Sequence, residues 1–176
     1  DFLAALIIGD DIAARMLAAS GLDLGAGWDA SSIFTVIPAA AIAARLMGLD
    51  ALQTRDAMGH GVDMISGTTQ SVWDGVPAWK LVGGLAAKNG IFAAQLAATG
   101  AWPAMGDPFL SGYGFFGQFT TGCINPAILT KGLGTTFYGE EYFKPYPSCA
   151  ATQAAMECAA DLCGGETFGP DDIDRI

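Results

Sequence analysis

The chain has 176 residues, enough for one domain or one and part of a second, and is 52% apolar against 15% charged, which provides for a large core and excludes disorder. Its net charge of −10 disfavours nucleic acid and anionic membrane surfaces as partners, because both need a basic footprint. The same sign weakens long-range attraction of small anions, although a local pocket can override the global field.

In chain order, FLAALIIGDDIAARMLAASG (2–21) repeats apolar residues at helical spacing, and Gly21 is the expected C′ residue. SSIFTVIPAAAIAARLMGLD (31–50) predicts a second helix with Ser31 or Ser32 as N-cap and Gly48 near its end. Pro38 either kinks that helix or marks its true first turn. Both segments carry IAAR followed by GLD, a short internal similarity. Asp50 is positioned to cap a third helix, ALQTRDAMGHGVDMI, weakened by Gly59 and Gly61.

SGTTQSVWDGVPAWK (66–80) breaks the helical pattern and reads as a loop. A fourth helix is expected from about Leu81 to Thr99, with Gly100 after it. GDPFLSGYGFFGQF (106–119) is a Gly-rich turn with an aromatic segment suited to burial, and a further short helix is expected near 126–133. GTTFYGEEYFKPYP (134–147) is aromatic and leans toward β structure. SCAATQAAMECAADLCGG (148–165) then predicts a helix capped by Ser148 and stopped by Gly164. The first and last residues read as mid-element, so a piece of a longer chain is expected.

Pro108–Thr130 is free of charge and long enough for a bilayer, but Gly, Pro, Gln and Asn interrupt it. With no basic n-region ahead of an apolar stretch, the expectation is a soluble, cytoplasmic protein. Cys123, Cys149, Cys158 and Cys163 lack CxxC spacing and have a single histidine for company. No metal site is expected, and buried free thiols are the favoured reading of Cys158 and Cys163.

Lys144, one of four lysines, stands in FKPYP between aromatic residues and just before a proline. Proline biases its predecessor toward extended structure, so this ammonium is held for a carboxylate or for negative charge developing beside one. The plainer alternative is a surface lysine lying over aromatic rings. Lys80, after AW, is the second cation of interest. His60, in MGHGVDM, reads first as a histidine satisfied by a backbone partner and second as a base. In WDASS (28–32), capping by Asp29 or Ser31 is the default, and a substrate carboxylate on the exposed N–H groups is the functional version. Cys149 at a helix start raises the option of a thiol nucleophile. GLGTT and GYGFFG match no nucleotide-binding spacing.

GWDASS with PAAAIAARLMGLD, WDGVPAWKLVGGLAAKNGIFAAQLAATG, DPFLSGYGFFGQF and FKPYPSCAATQAA occur in that order. Together they resemble the MmgE/PrpD family, which includes 2-methylcitrate dehydratase, cis-aconitate decarboxylase and an iminodisuccinate epimerase. The resemblance implies a mainly α fold: the central part of a large all-helical domain over 1–143 and the beginning of a smaller α+β lid over 144–176. It implies a homodimer with the active site between domains, and metal- and cofactor-free chemistry on a small di- or tricarboxylic acid. By position, Lys144 corresponds to the family lysine at the start of the lid, and Lys80 approximates the lysine before the GxAAxxG helix. Asp29, Cys149 and Gln153 stand where some members carry histidines.

The resulting expectation is a lyase or isomerase, dehydratase-like, working through a carbanion or enediolate-like intermediate. Lys80 and Lys144 are its catalytic candidates; Asp29, Ser31, Tyr146, Ser148 and Cys149 its substrate-binding candidates; His60 and Gln153 secondary ones. A non-catalytic helical scaffold or dimerisation subunit is the alternative. The piece alone is expected to be inactive.

Overall fold

The computed structural model describes residues 1–23, 26–139, 143–164 and 169–175. Two compact units divide the chain, Asp1–Gly139 and Glu140–Ile176. The described residues are mainly α-helical and contain no strand; the extended pairings are the isolated bridges Ser20–Cys123 and Trp28–Thr68.

The first unit is built on α1 (Phe2–Ala19), α2 (Ala30–Ile33), α3 (Val36–Leu46), α4 (Ala51–Asp63), α5 (Gln70–Trp73), α6 (Leu81–Ala98) and α7 (Phe115–Phe119). α3 lies at the centre, packed against α1, α4 and α6, and α4 also packs on α6. Small residues make these close crossings possible. Ala40, Ala43 and Ala44 of α3 meet Ala57 of α4 and Ala93, Ala94 and Ala97 of α6 in an all-alanine cluster. At Gly90 a methyl group would stand 2.5 Å from the Ala39 Cβ and 2.7 Å from the Ala40 backbone N. Larger residues fill the second core cluster, where Ile37, Phe34 and Val62 pack with Phe115 and Phe116. Phe34 and Phe115 meet edge to face at 5.4 Å, a favoured quadrupole arrangement.

Several boundaries differ from the sequence expectation for local reasons. The expected 31–50 helix is two helices, and Asp29 caps the first: its carboxylate accepts from the Ser32 N–H at 3.3 Å. Pro38 falls in the first turn of α3, where no N–H is required; within a continuous helix its ring would collide with the Phe34 carbonyl. Gly21 is not a left-handed C′ residue. α1 ends at Ala19, Ser20 turns extended, and Gly21 exchanges backbone hydrogen bonds with Thr121 and Gly122. Its missing side chain admits Thr121 at close range.

Segment 66–80 is not wholly loop, because α5 and a 3-10 turn at Pro77–Lys80 occupy it. That turn and α6 together, Pro77–Ala98, are long and apolar enough by length and composition to cross a bilayer. Among the described residues this is the helix with those properties. Its small-residue positions Ala86, Gly90, Ala93, Ala94 and Ala97 are buried.

The expected helix near 126–133 is a 3-10 turn, Pro126–Leu129. The described part of 134–147 forms no strand; β-leaning side chains need a neighbouring strand before they pair. In the second unit Cys149, rather than Ser148, is the N-cap of a 3-10 turn at Ala150–Thr152 that runs into α8 (Gln153–Gly164). Gln153 is the buried residue of α8, and Cys158 and Cys163 are exposed, not buried. Their helical spacing places them on α8, but burial needs a covering element.

Candidate functional site

Around the WDASS motif the chain is folded back on itself. Residues 27–29 run antiparallel to 67–69: Asp29 N–H donates to the Gly67 carbonyl at 3.3 Å, and Thr69 N–H donates to the Gly27 carbonyl at 3.0 Å. Gly67 sits at φ +109, a backbone region open to glycine and costly for other residues. A Cβ there would lie 2.8 Å from Ser32 Oγ and 3.1 Å from the Val82 side chain. This glycine therefore lets the start of α2 and the first turn of α6 meet. Ser32 secures the junction, since its buried hydroxyl donates to the Ser66 carbonyl. Neither Ser32 nor Gly67 stood out from the sequence as a site residue. The signal available was a second hydroxyl in WDASS and a glycine in SGTT, both of which read equally well as caps and turns.

Asp29 is buried and Ser31 exposed. Lys80 closes the 3-10 turn just ahead of α6, is exposed, and holds its ammonium 5.6 Å from the Trp79 ring centroid. Such an exposed cation–π contact is worth about 0.5–1 kcal/mol and orients the side chain. Asp29, Ser31 and Lys80 thus lie on segments that the first unit brings together. His60 bonds elsewhere. Its ring is half-buried, and Nε2–H donates to the Trp102 carbonyl at 2.7 Å, so it has a backbone partner.

The second unit carries the other candidates. Lys144 and Cys149 are exposed, while Tyr146 and Ser148 are half-buried. Gln153 is 6% exposed and bonds inward. Its side-chain oxygen accepts from Tyr146 N–H at 3.1 Å, and its amide nitrogen donates to the Tyr146 carbonyl at 3.0 Å and to Ser148 Oγ at 2.7 Å. Thr152 Oγ1 donates to Ser148 Oγ at 3.0 Å. Tyr146, Ser148 and Gln153 therefore form one hydrogen-bonded loop directly after Lys144. No three His, Cys, Asp or Glu side chains gather in metal-binding geometry among the described residues.

The first unit also holds a buried ion pair that the sequence did not disclose. Arg15 Nε donates to Asp11 at 2.6 Å, and the rest of its guanidinium donates to the carbonyls of Ile128, Lys131 and Thr136 at 2.6–2.8 Å. Arg15 also lies 4.7 Å from the Tyr138 ring centroid, and Asp11 accepts from Tyr138 N–H at 2.7 Å. The pair holds segment 126–138 on α1.

The MmgE/PrpD N-terminal domain matches residues 1–125, which takes in α1–α7 and the WDASS–Gly67–Lys80 junction. The chain belongs to the MmgE/PrpD family. A relative, the cis-aconitate decarboxylase-like protein oryM of Aspergillus oryzae, is 33% identical over 142 residues. That match takes in 76% of this chain and 29% of the relative, so the chain spans well under half of the curated protein it resembles. MmgE/PrpD proteins include lyases and dehydratases, and the mainly α fold agrees with the N-terminal domain of the family.

Proposed function

We propose that the protein is a metal- and cofactor-independent lyase or isomerase, dehydratase-like, acting on a small di- or tricarboxylic acid. Residues 1–143 serve as part of its helical domain and 144–176 as the start of a lid. The observation that carries this reading is the junction at Gly67, which joins the Asp29–Ser32 helix start to the first turn of α6 directly after Lys80. Family membership supplies the reaction class.

Removing a proton or a carboxylate next to a second carboxylate leaves an enediolate-like charge, and a fixed ammonium stabilises that charge as it develops. Lys80 and Lys144 take this role, one of them also able to move a proton. Asp29 holds the helix start whose polar groups face the substrate, and Tyr146, Ser148 and Cys149 shape the loop behind Lys144. The working protein is a cytoplasmic homodimer.

Lys80→Ala and Lys144→Ala in the full-length protein should each lower kcat/KM by about 10²–10³-fold, the usual effect of deleting one preorganised charge stabiliser. Unfolding free energies should stay within about 1 kcal/mol of wild type, the most that the exposed Lys80–Trp79 contact supplies. Unchanged kcat/KM in both variants refutes the assignment.

The alternative, a non-catalytic helical scaffold or dimerisation subunit, draws support from the internal bonding of Asp29 and Gln153, which stand where some family members carry histidines. Calorimetric titration with succinate, malate and citrate separates the two. Heat from a saturable site supports the enzyme, and a dimeric, intact protein that takes up none supports the scaffold.

A further inference from the structure

Tyr146 lies between two prolines, so it carries the one backbone N–H available in residues 145–147. That N–H goes to the Gln153 side chain at 3.1 Å, and the Tyr146 carbonyl receives both the Gln153 amide at 3.0 Å and Ser148 N–H at 2.8 Å. The glutamine amide thus pairs with both polar groups of a single residue, as a neighbouring strand would. It is buried, and it begins α8, so the pairing fastens the loop to a helix.

We propose that Gln153 is a positioning residue that clasps the 144–149 loop and so sets where Lys144 presents its ammonium. This rests on the reading of Lys144 as a carboxylate-binding cation. A carboxamide offers a donor and an acceptor side by side on one planar group whatever the pH, which an ionised carboxylate does not. An ionised glutamate would keep the acceptor for the Tyr146 N–H but turn its other oxygen, an acceptor in place of the donor, toward the Tyr146 carbonyl, and a methionine would fill the space without a bond. The second amide hydrogen goes to Ser148 Oγ at 2.7 Å, with the Ser148 and Cys149 carbonyls at 3.3 and 3.4 Å. The oxygen and the amide nitrogen of Gln153 are thus both engaged within the loop. The two flanking prolines fix φ at 145 and 147, which leaves the clasp to hold the residue between them.

The test uses Gln153→Met in the full-length protein, with Gln153→Glu as a second variant. Amide hydrogen exchange at Tyr146, followed by NMR, should accelerate at least about tenfold in Gln153→Met, while amides in the middle of α8 keep their wild-type rates. Tyr146 exchange equal to wild type overturns the clasp. Affinity for the best binder among succinate, malate and citrate should fall about tenfold in either variant. Combined with Lys144→Ala, Gln153→Met should add little further loss, because it acts through that lysine. Fully additive losses overturn the positioning role even if the clasp exists. If the wild-type protein binds none of the three probes, the substrate reading fails and the Lys144 role with it. The Tyr146 exchange rate still decides the clasp by itself.

Discussion

Replacing Arg15 with methionine is the most informative perturbation of the first unit. Arg15 is 2% exposed, and its side chain donates to Asp11 and to three carbonyls between Ile128 and Thr136. Methionine preserves much of the aliphatic bulk but none of the donors. Asp11, whose side chain is 8% exposed, is left with Tyr138 N–H as its remaining donor among the bonds of this cluster. Removing one partner of a buried ion pair costs about 3–5 kcal/mol, since the survivor remains desolvated. Loss of the Tyr138 cation–π contact at 4.7 Å adds about 0.5–2 kcal/mol, offset in part as water reaches the freed carbonyls.

Against a total stability of about 5–15 kcal/mol, that is a large fraction. For a chain of this size each kcal/mol moves Tm by roughly 2–4 °C, so a drop on the order of 6–20 °C is expected. Urea titration followed by far-UV circular dichroism gives the free energy directly. The double variant Arg15→Met/Asp11→Leu should recover much of the loss, because it removes the stranded carboxylate together with its partner. An Arg15→Met protein within about 0.5 kcal/mol of wild type refutes the assignment of the pair as the fastening of segment 126–138. So does a double variant no better than the single.

Gly90→Ala should destabilise the first unit by about 1–3 kcal/mol in the same titration: the new methyl meets the Ala39 Cβ at 2.5 Å and the Ala40 backbone at 2.7 Å, a case of overpacking against groups that cannot move aside. Gly67→Ala is expected to lose more than about 1 kcal/mol from its φ of +109. It should also lower kcat/KM through the displaced α2–α6 junction, while Gly83→Ala, which lies in α6 and meets nothing within 4 Å, leaves kcat/KM unchanged and raises stability by up to about 1 kcal/mol. Asp50→Ala removes a capping box in which the carboxylate accepts from Gln53 N–H at 2.8 Å and the Gln53 side chain accepts from Asp50 N–H at 3.2 Å. A loss of about 1 kcal/mol, measured by urea midpoint, is the expected result.

Much of this protein is legible from its order of residues. Helical spacing alone located α1, α4 and α6 to within a few residues, because an i to i+4 bond and a cap such as Asp50 are satisfied inside a short stretch of chain. Within the aromatic segment 106–119 Phe115 and Phe116 are buried as expected while Tyr113 is exposed, and the soft Ala- and Gly-rich motifs taken in order disclosed the family. What remained hidden depended on partners distant in the chain. Arg15 looks like any helix arginine until Ile128, Lys131 and Thr136 turn their carbonyls toward it. Gly21 looks like a helix stop until Thr121 occupies the space beside it, and Gly67 like a turn residue until Ser32 and Val82 close on either side. Gln153 is an ordinary polar residue until the twin prolines leave Tyr146 with a single N–H to place. A cap or a helical face is determined by neighbours a turn away. Which groups meet across a hundred residues is decided only when the helices pack, since packing alone sets which carbonyls and side chains lose their water and must find one another.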